Sequence, residues 1–333
     1  MQIDFTHRHS AHCESGSVSN MLLNYGITIS EPLVFGIGSG IFFGYFPFIK
    51  VQGMPAITFR NMPGRIMKNN AKRLGITFNK SRFKDPSDAM NALDRMIDNG
   101  VPVCLRTGVY WLPYMPDAMR FHFNVHHVVV YGRDGSDYLV SDPVFEVPVT
   151  CSRKDLQKAR FAEGLMAPHG TMFWLSGVPR NVELVPAIIK GIREVCHVMI
   201  HFPLYIVGVW GIKTFARALT QWPEKYGTRR APIYLGHAIR MQEEIGTGGG
   251  GFRLMYAAFL HETARLTGDE RFADISKRMT IIGDRWREFA VQGARICKNR
   301  APDGANFDQL GRVIADCAEQ EYQLYKDLWK IVK

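Results

Sequence analysis

The sequence has no internal repeat, no low-complexity tract and no block of like charge. With 46% apolar and 22% charged residues, this excludes a disordered, fibrous or repeat-built chain. Cysteine is sparse. Six residues, at 13, 104, 151, 196, 297 and 317, are scattered without the spacing of a disulfide framework. The opening MQIDFTHRHSAHC lacks the apolar core of a secretory signal, so free thiols in a reducing cytoplasm are expected. Two uncharged stretches, Pro32–Ile49 and Val195–Ile212, reach only eighteen residues, the lower edge for a spanning helix. Glycines and prolines interrupt the first, and His197, His201, Pro203, Gly208 and Gly211 the second. Both read as buried core or the wall of an apolar pocket, with peripheral membrane contact as the alternative. Nucleotide loops are lacking too. Gly36-x-Gly38-x-Gly40 has no third glycine at the dinucleotide spacing, and Gly246–Gly251 is not followed by Lys-Ser/Thr.

What is present is length and positive charge. A chain of 333 residues suggests two domains. Forty-one Lys and Arg against thirty-one Asp and Glu leave +10, which favours an acidic partner. The basic residues are dispersed and no base-reading motif accompanies them, so nucleic acid is not expected. Strand signals fill the first half. Val101–Arg106 is a short β-rich run, Val125–Tyr131 (VHHVVVY) a stronger one, and GRDGSD links it to a second run at Tyr138 in a hairpin pattern. Met172–Leu175 is a further candidate. Helices are predicted at Ser15–Tyr25, Pro63–Leu74 and Pro86–Asn99, the last with Ser87 as its cap. Beyond residue 180 helical periodicity takes over, at Val182–Val195, Ile233–Glu244, Phe252–Leu266, Glu270–Lys298 and Phe307–Ile331. The expectation is an α+β domain over residues 1–178 and an all-helical domain over 179–333.

Two readings compete at the N-terminus. His7, His9, His12 and Cys13 lie within seven residues and could hold zinc, but Ala11 stands where a metallohydrolase motif needs Asp. The favoured reading makes Cys13 a nucleophile. It precedes an apolar helical pattern of Val18, Met21, Leu22 and Tyr25, and a thiol at a helix N-terminus is biased toward thiolate. The hairpin offers it a partner. His126 opens one strand and Asp142 ends the next, so an imidazole and an orienting carboxylate fall on neighbouring strands. His126 and His127 should face opposite sides of the sheet, which leaves one of them as the base. Gly38, Ser39 and Gly40 are candidates for close backbone approach to substrate. The loop Gly246–Gly251, with Arg253 beside it, is a candidate anion site.

These residues carry a resemblance. His12-Cys13-Glu14-Ser15-Gly16-Ser17, followed by Ser30-Glu31-Pro32 and Phe35-Gly-Ile-Gly-Ser-Gly40 up to Tyr45, resembles the N-terminal domain of butirosin biosynthesis protein H. The pattern His126…Gly132…Asp142-Pro143 resembles the bacteriocin-processing papain-like cysteine peptidases, and Ile245–Leu260 resembles the helical domain often fused to the first family. The resemblance implies a papain-like α+β fold and a cysteine-dependent acyltransferase. Such an enzyme moves an acyl group from a carrier-protein or CoA-type thioester onto an amine or alcohol, through a thioester on Cys13. His126 would be the base and Asp142 its orienter. The phosphopantetheine would arrive on the donor, and no resident metal or cofactor is implied. The peptidases carry a Gln as oxyanion donor where this chain has His7, so the donor is either His7 or backbone N–H groups near Cys13. The aromatic and apolar residues Phe35, Ile41, Phe42, Phe43, Phe46, Phe48, Phe202, Tyr205 and Trp210 are candidates for an acyl tunnel. A cysteine peptidase or amidase, or a non-catalytic carrier-binding module, are the alternatives.

Overall fold

The computed structural model describes residues 2–51, 53–300 and 306–333. The chain divides into two compact units. The first runs to Val34 and resumes over Ile66–Glu183; the second takes Phe35–Arg65 together with Leu184–Lys333. A division at residue 178 therefore leaves one segment on the wrong side, since Phe35–Arg65 packs with the helical part.

Helix α1 (Cys13–Leu23) opens the first unit, and α2 (Glu31–Ile37) leads out of it. The second unit then receives β1 (Ile41–Val51) and β2 (Met54–Arg60). The first unit continues with α3 (Arg65–Leu74), β3 (Thr77–Ser81), α4 (Pro86–Asp98), β4 (Val103–Thr107), β5 (His126–Asp134) and β6 (Asp137–Ser141). It closes with β7 (Val149–Ser152), α5 (Arg153–Arg160) and β8 (Met172–Gly177). Its six strands form one sheet in the order β3-β8-β4-β5-β6-β7, with every neighbouring pair antiparallel. The β5–β6 turn is tight because Asp134 pairs with Asp137 and Gly135 takes φ +57. β5 lies inside the sheet, which is why its sequence is continuously apolar after the two histidines. Val128, Val130, Val103, Leu105 and Val140 join Leu93 and Ile97 of α4 and Leu156 of α5 in one core. Each such side chain contributes about 1.5–3 kcal/mol by leaving water. The cap of α4 is Asp85, whose Oδ1 accepts from Asp88 N at 2.9 Å, rather than Ser87. Pro86 fits the first helical position and moves the start one residue upstream of the predicted cap.

The second unit is helical around the β1–β2 hairpin. It comprises α6 (Leu184–Cys196), a π turn over His197–His201, α7 (Gly208–Glu243), α8 (Arg253–Thr267), α9 (Glu270–Cys297) and α10 (Phe307–Val332). α7 breaks at Gly227, where φ is +74. Phe43 and Phe59 meet edge-on at 5.3 Å, and Phe59 meets Trp286 of α9 edge-on at 5.5 Å. Phe43 also packs against Phe215 of α7, at 6.0 Å. This aromatic cluster explains why the hairpin belongs with the helices.

Pro32–Ile49, predicted as a turn-rich buried segment, is thus a short helix and most of a strand. Val195–Ile212 covers the end of α6, the π turn, an exposed loop and the start of α7. Among the described residues no helix is long and apolar enough to cross a membrane.

Candidate active site

Cys13 is the first residue of α1, preceded by His12 as an N-cap in extended conformation. The imidazole of His12 closes the cap: its Nδ1 accepts from Ser15 N at 3.3 Å and lies 2.9 Å from Ser15 Oγ. The approach to the helix is held by Glu31. Its carboxylate accepts from Ala11 N at 2.9 Å, His12 N at 2.8 Å and Ser15 Oγ at 3.0 Å. Burial raises the Glu31 pKa even though these three donors oppose the shift. The rest of α1 is buried in the first unit, and Ser17 Oγ donates to His127 O of β5 at 3.3 Å.

His126 begins β5, paired with Thr107 of β4. Its Nε2 lies 2.7 Å from Asp142 Oδ2, which leaves Nδ1 as the nitrogen available to a thiol. Asp142 follows β6 directly and is fully buried. Tyr114 Oη donates to the same Oδ2 at 3.1 Å, and Val144 N donates to Oδ1 at 3.3 Å. Both carboxylate oxygens are thereby fixed. Burial and the neighbouring Asp142 push the Tyr114 hydroxyl well above its ordinary value, so it remains a donor.

The sequence-predicted residues Cys13, His126 and Asp142 are brought together. Burial alone would raise the Cys13 pKa. Hydrogen bonding and charge from His126 and His127 overcome this and lower it to about 5. Burial also acts to lower the His126 pKa, but the charge and hydrogen bond of Asp142, with those of Cys13, raise it to about 10. The pair therefore rests as thiolate and imidazolium across neutral pH. The other five cysteines move the opposite way: Cys104, Cys151, Cys196, Cys297 and Cys317 are all raised, with burial the largest cause.

Strand alternation predicts that only one of the two adjacent histidines faces the thiol. Both nevertheless act on it, by hydrogen bonding and by charge. His127 is buried and its Nδ1 has no hydrogen-bond partner.

Several predicted roles meet a different arrangement. His7 has Nδ1 2.7 Å from Ser141 Oγ and Nε2 3.0 Å from Phe145 O, so both ring nitrogens are committed away from an oxyanion. With His7 held there and His12 turned into its cap, the N-terminal histidines do not converge. Among the described residues no cluster of three or more His, Cys, Asp or Glu could hold a metal ion.

Ser39 and Gly40 serve packing within the second unit. Ser39 takes φ +54 and donates to Gly191 O at 3.1 Å, while a Cβ on Gly40 would meet the Phe35 ring at 2.4 Å. Gly38 lies in the same turn. Arg253 is no surface anion site. It is fully buried, with Nε donating to Glu321 Oε1 at 3.0 Å, Nη2 to Oε2 at 3.1 Å and Nη1 to Gly251 O at 2.8 Å. The glycine loop before it turns Gly250 N to Glu243 Oε1 at 3.0 Å, a carboxylate where an anion would have to sit. The proposed tunnel aromatics separate as well: Phe35 and Phe43 are core, whereas Phe48, Phe202, Tyr205 and Trp210 are exposed.

Tyr114, and the role of Glu31, escaped the sequence reading. Tyr114 lies in an irregular Pro-flanked segment that carries no periodic signal. Glu31-Pro32 does carry one, an acidic residue opening a helix, but not its tie to residues 11–15.

The family model for the Domain of unknown function (DUF4872) matches residues 154–328, more than half the chain. The chain belongs to this family. Residues 12–143 match the model for Butirosin biosynthesis protein H, N-terminal, so a domain of that type precedes it. That match contains Cys13, His126 and Asp142. A solved structure described as a C39-like peptidase from Bacillus anthracis is 14% identical. The match covers 54% of this chain and 100% of that one, with a TM-score of 0.37. No curated protein matches the chain in sequence. A cysteine on a helix N-terminus against an antiparallel sheet that presents His, with Asp directly after the next strand, is the papain-like α+β arrangement that the sequence predicts. Such an arrangement serves acyl-transfer or peptidase-type chemistry.

Proposed function

We propose that the chain is a cysteine-dependent acyltransferase whose donor is a thioester on an acyl carrier protein or a CoA-type thiol. One observation carries this reading: of six thiols, only Cys13 is lowered, and it is lowered by two imidazoles at a helix N-terminus. The Cys13 thiolate attacks the donor carbonyl. The backbone N–H of Cys13, the first residue of α1, has no intrahelical acceptor and offers itself to the oxyanion. The pantetheine thiol leaves with a proton from His126, and a thioester on Cys13 remains. His126, now neutral, takes a proton from an acceptor amine or alcohol, which attacks that thioester and restores Cys13. Asp142 and Tyr114 hold the imidazole in place throughout. Transfer from thioester to amine is downhill, so the cycle needs no further energy source.

A peptidase would use the same groups with water as acceptor. Cys13 is only 6% exposed, which favours transfer over hydrolysis because an acyl-enzyme shielded from bulk water survives until an acceptor docks. The net charge of +10 suits an acidic carrier.

The test is intact-protein mass after incubation with acyl-pantetheine thioesters of graded chain length, for the native chain and Cys13→Ala. A mass gain of one acyl group in the native chain alone, discharged by an added amine to give amide, is expected. No adduct from any donor, with peptide cleavage instead, would replace this reading with the peptidase one.

A further inference from the structure

The end of the β1–β2 hairpin presents apolar side chains to solvent where the fold has no need to. Phe46 pairs with Ala56 and the next pair is Lys50 with Pro55, so Pro47, Phe48 and Ile49 have no partner on β2 and bulge outward. Phe48 is 66% exposed and Ile49 47%. Beside them lies the break in α7. The Lys50 ammonium stands 5.8 Å from the Tyr226 ring and 5.7 Å from the Tyr234 ring, and Tyr234 Oη donates to Gly53 O at 3.3 Å. Ile233, adjacent to Tyr234, is 60% exposed. Lone exposed apolar residues are ordinary; here three lie in the two segments that Lys50, Tyr226 and Tyr234 bring together.

The same surface is cationic. Lys50, Lys225, Arg229 and Arg230 are exposed, and none forms an ion pair among the described residues. Glu224 is the single acidic residue between Trp222 and Tyr234, and the chain carries no Asp or Glu from Pro32 to Lys84.

We propose that this surface, the bulged hairpin end with the break in α7, docks the protein on an anionic lipid interface. The apolar groups protrude. A protein partner would need a matching groove, whereas a bilayer surface accepts protruding Phe and Ile directly. Tyrosines at the level below them and unpaired cations around them match the headgroup layer, where aromatic rings and basic side chains settle. Charge complementarity selects anionic over zwitterionic lipid, because four exposed cations without an ion pair stand against one carboxylate in these segments. The contact is peripheral, since no described helix can span. It does not rest on the chemistry of Cys13.

The test is co-sedimentation of the full chain with vesicles of phosphatidylcholine alone and with about 30% phosphatidylglycerol added. Binding to the anionic vesicles only is expected, weakened at about 0.5 M salt, where screening shortens the reach of charge. Lys225→Glu with Arg229→Glu and Arg230→Glu should lower affinity at least about tenfold, since each basic residue near such a surface is worth roughly fivefold. Phe48→Ser with Ile49→Ser removes the insertion alone, and should lower affinity without changing the salt dependence. Every substituted side chain is exposed, so folding should be unaffected. As a second readout, the indole introduced by Phe48→Trp should shift its fluorescence to the blue on adding anionic vesicles. Absence of binding, binding that both variants retain, or an introduced indole whose emission does not shift would overturn the proposal. So would variants that weaken capture of an acidic acyl carrier protein while no lipid binding is found, in favour of a protein partner.

Discussion

Two buried charged centres, one in each unit, show how differently the same kinds of group can be used. In the second unit Arg253 meets Glu321 through two parallel hydrogen bonds, and Trp286 Nε1 donates to Glu321 Oε1 at 2.7 Å. The guanidinium also lies over the Trp286 ring, 4.8 Å from its centre. This closed set holds α8, α9 and α10 to one another. In the first unit His126 and Asp142 make a comparable contact, but the third member, Cys13, can exchange its proton, and the neighbouring His127 keeps a ring nitrogen without a partner. A buried charge whose partners are complete is a fastener. A buried charge beside an incomplete partner is a candidate for chemistry.

The largest effect that would sharpen this contrast is at Asp142. Asp142→Asn keeps the shape and removes the charge, so acylation of Cys13 should slow on the order of 10³–10⁴-fold with little loss of stability. Single-turnover mass spectrometry together with thermal unfolding would separate the two. Glu321→Ala should do the reverse. It leaves Arg253 buried without its carboxylate and should cost about 3–5 kcal/mol in urea unfolding, while Cys13 in the folded fraction keeps its reactivity. If Glu321→Ala altered the thiol in folded protein, the contrast between fastener and reactive centre would break.

Next in size is the pH profile. The Cys13 pKa is lowered to about 5 and that of His126 raised to about 10, so thiolate forms as pH rises through the first value and imidazolium is lost through the second. Alkylation of Cys13 by iodoacetamide should change little between about pH 6 and pH 8, where an ordinary thiol with pKa near 8.5 would lose roughly a hundredfold in rate as pH falls. A steep rise over that interval would mean that the imidazoles do not hold the thiolate. The smallest effect is expected for Tyr114→Phe. It removes one donor to Asp142, worth about 0.5–1.5 kcal/mol, and should slow acylation at most about tenfold, because His126 and Val144 N still hold the carboxylate.

Much of this was legible in the sequence where local pattern and structure agree. The Gly-Asp turn chemistry and the VHHVVVY run announced the β5–β6 hairpin, and with it the proximity of His126 and Asp142. The helix after Cys13 was equally plain. The missing parts depend on contacts distant in sequence. Arg253 read as part of an anion site beside a glycine loop, because nothing local reveals Glu321 some seventy residues on. His7 read as a candidate oxyanion donor because nothing local reveals Ser141 and Phe145, which take both its ring nitrogens. The β1–β2 hairpin was illegible because its aromatic face has no regular alternation through the bulges, and its partners lie on α7 and α9.

The grouping of Phe35–Arg65 with the helical unit also sets a timetable. The ribosome delivers Phe59 long before Trp286, the residue against which its ring packs. The two are 286 − 59 = 227 residues apart, so at common synthesis rates the hairpin waits roughly 10–45 s for its cover. For most of that interval Phe43 lacks Phe215 of α7, and throughout it Phe59 lacks Trp286 of α9, even when every residue of the first unit has been made. A nascent chain halted after Glu183 would therefore be a sticky one, and slow emergence of the last helices should matter more to its yield than any feature of the sheet.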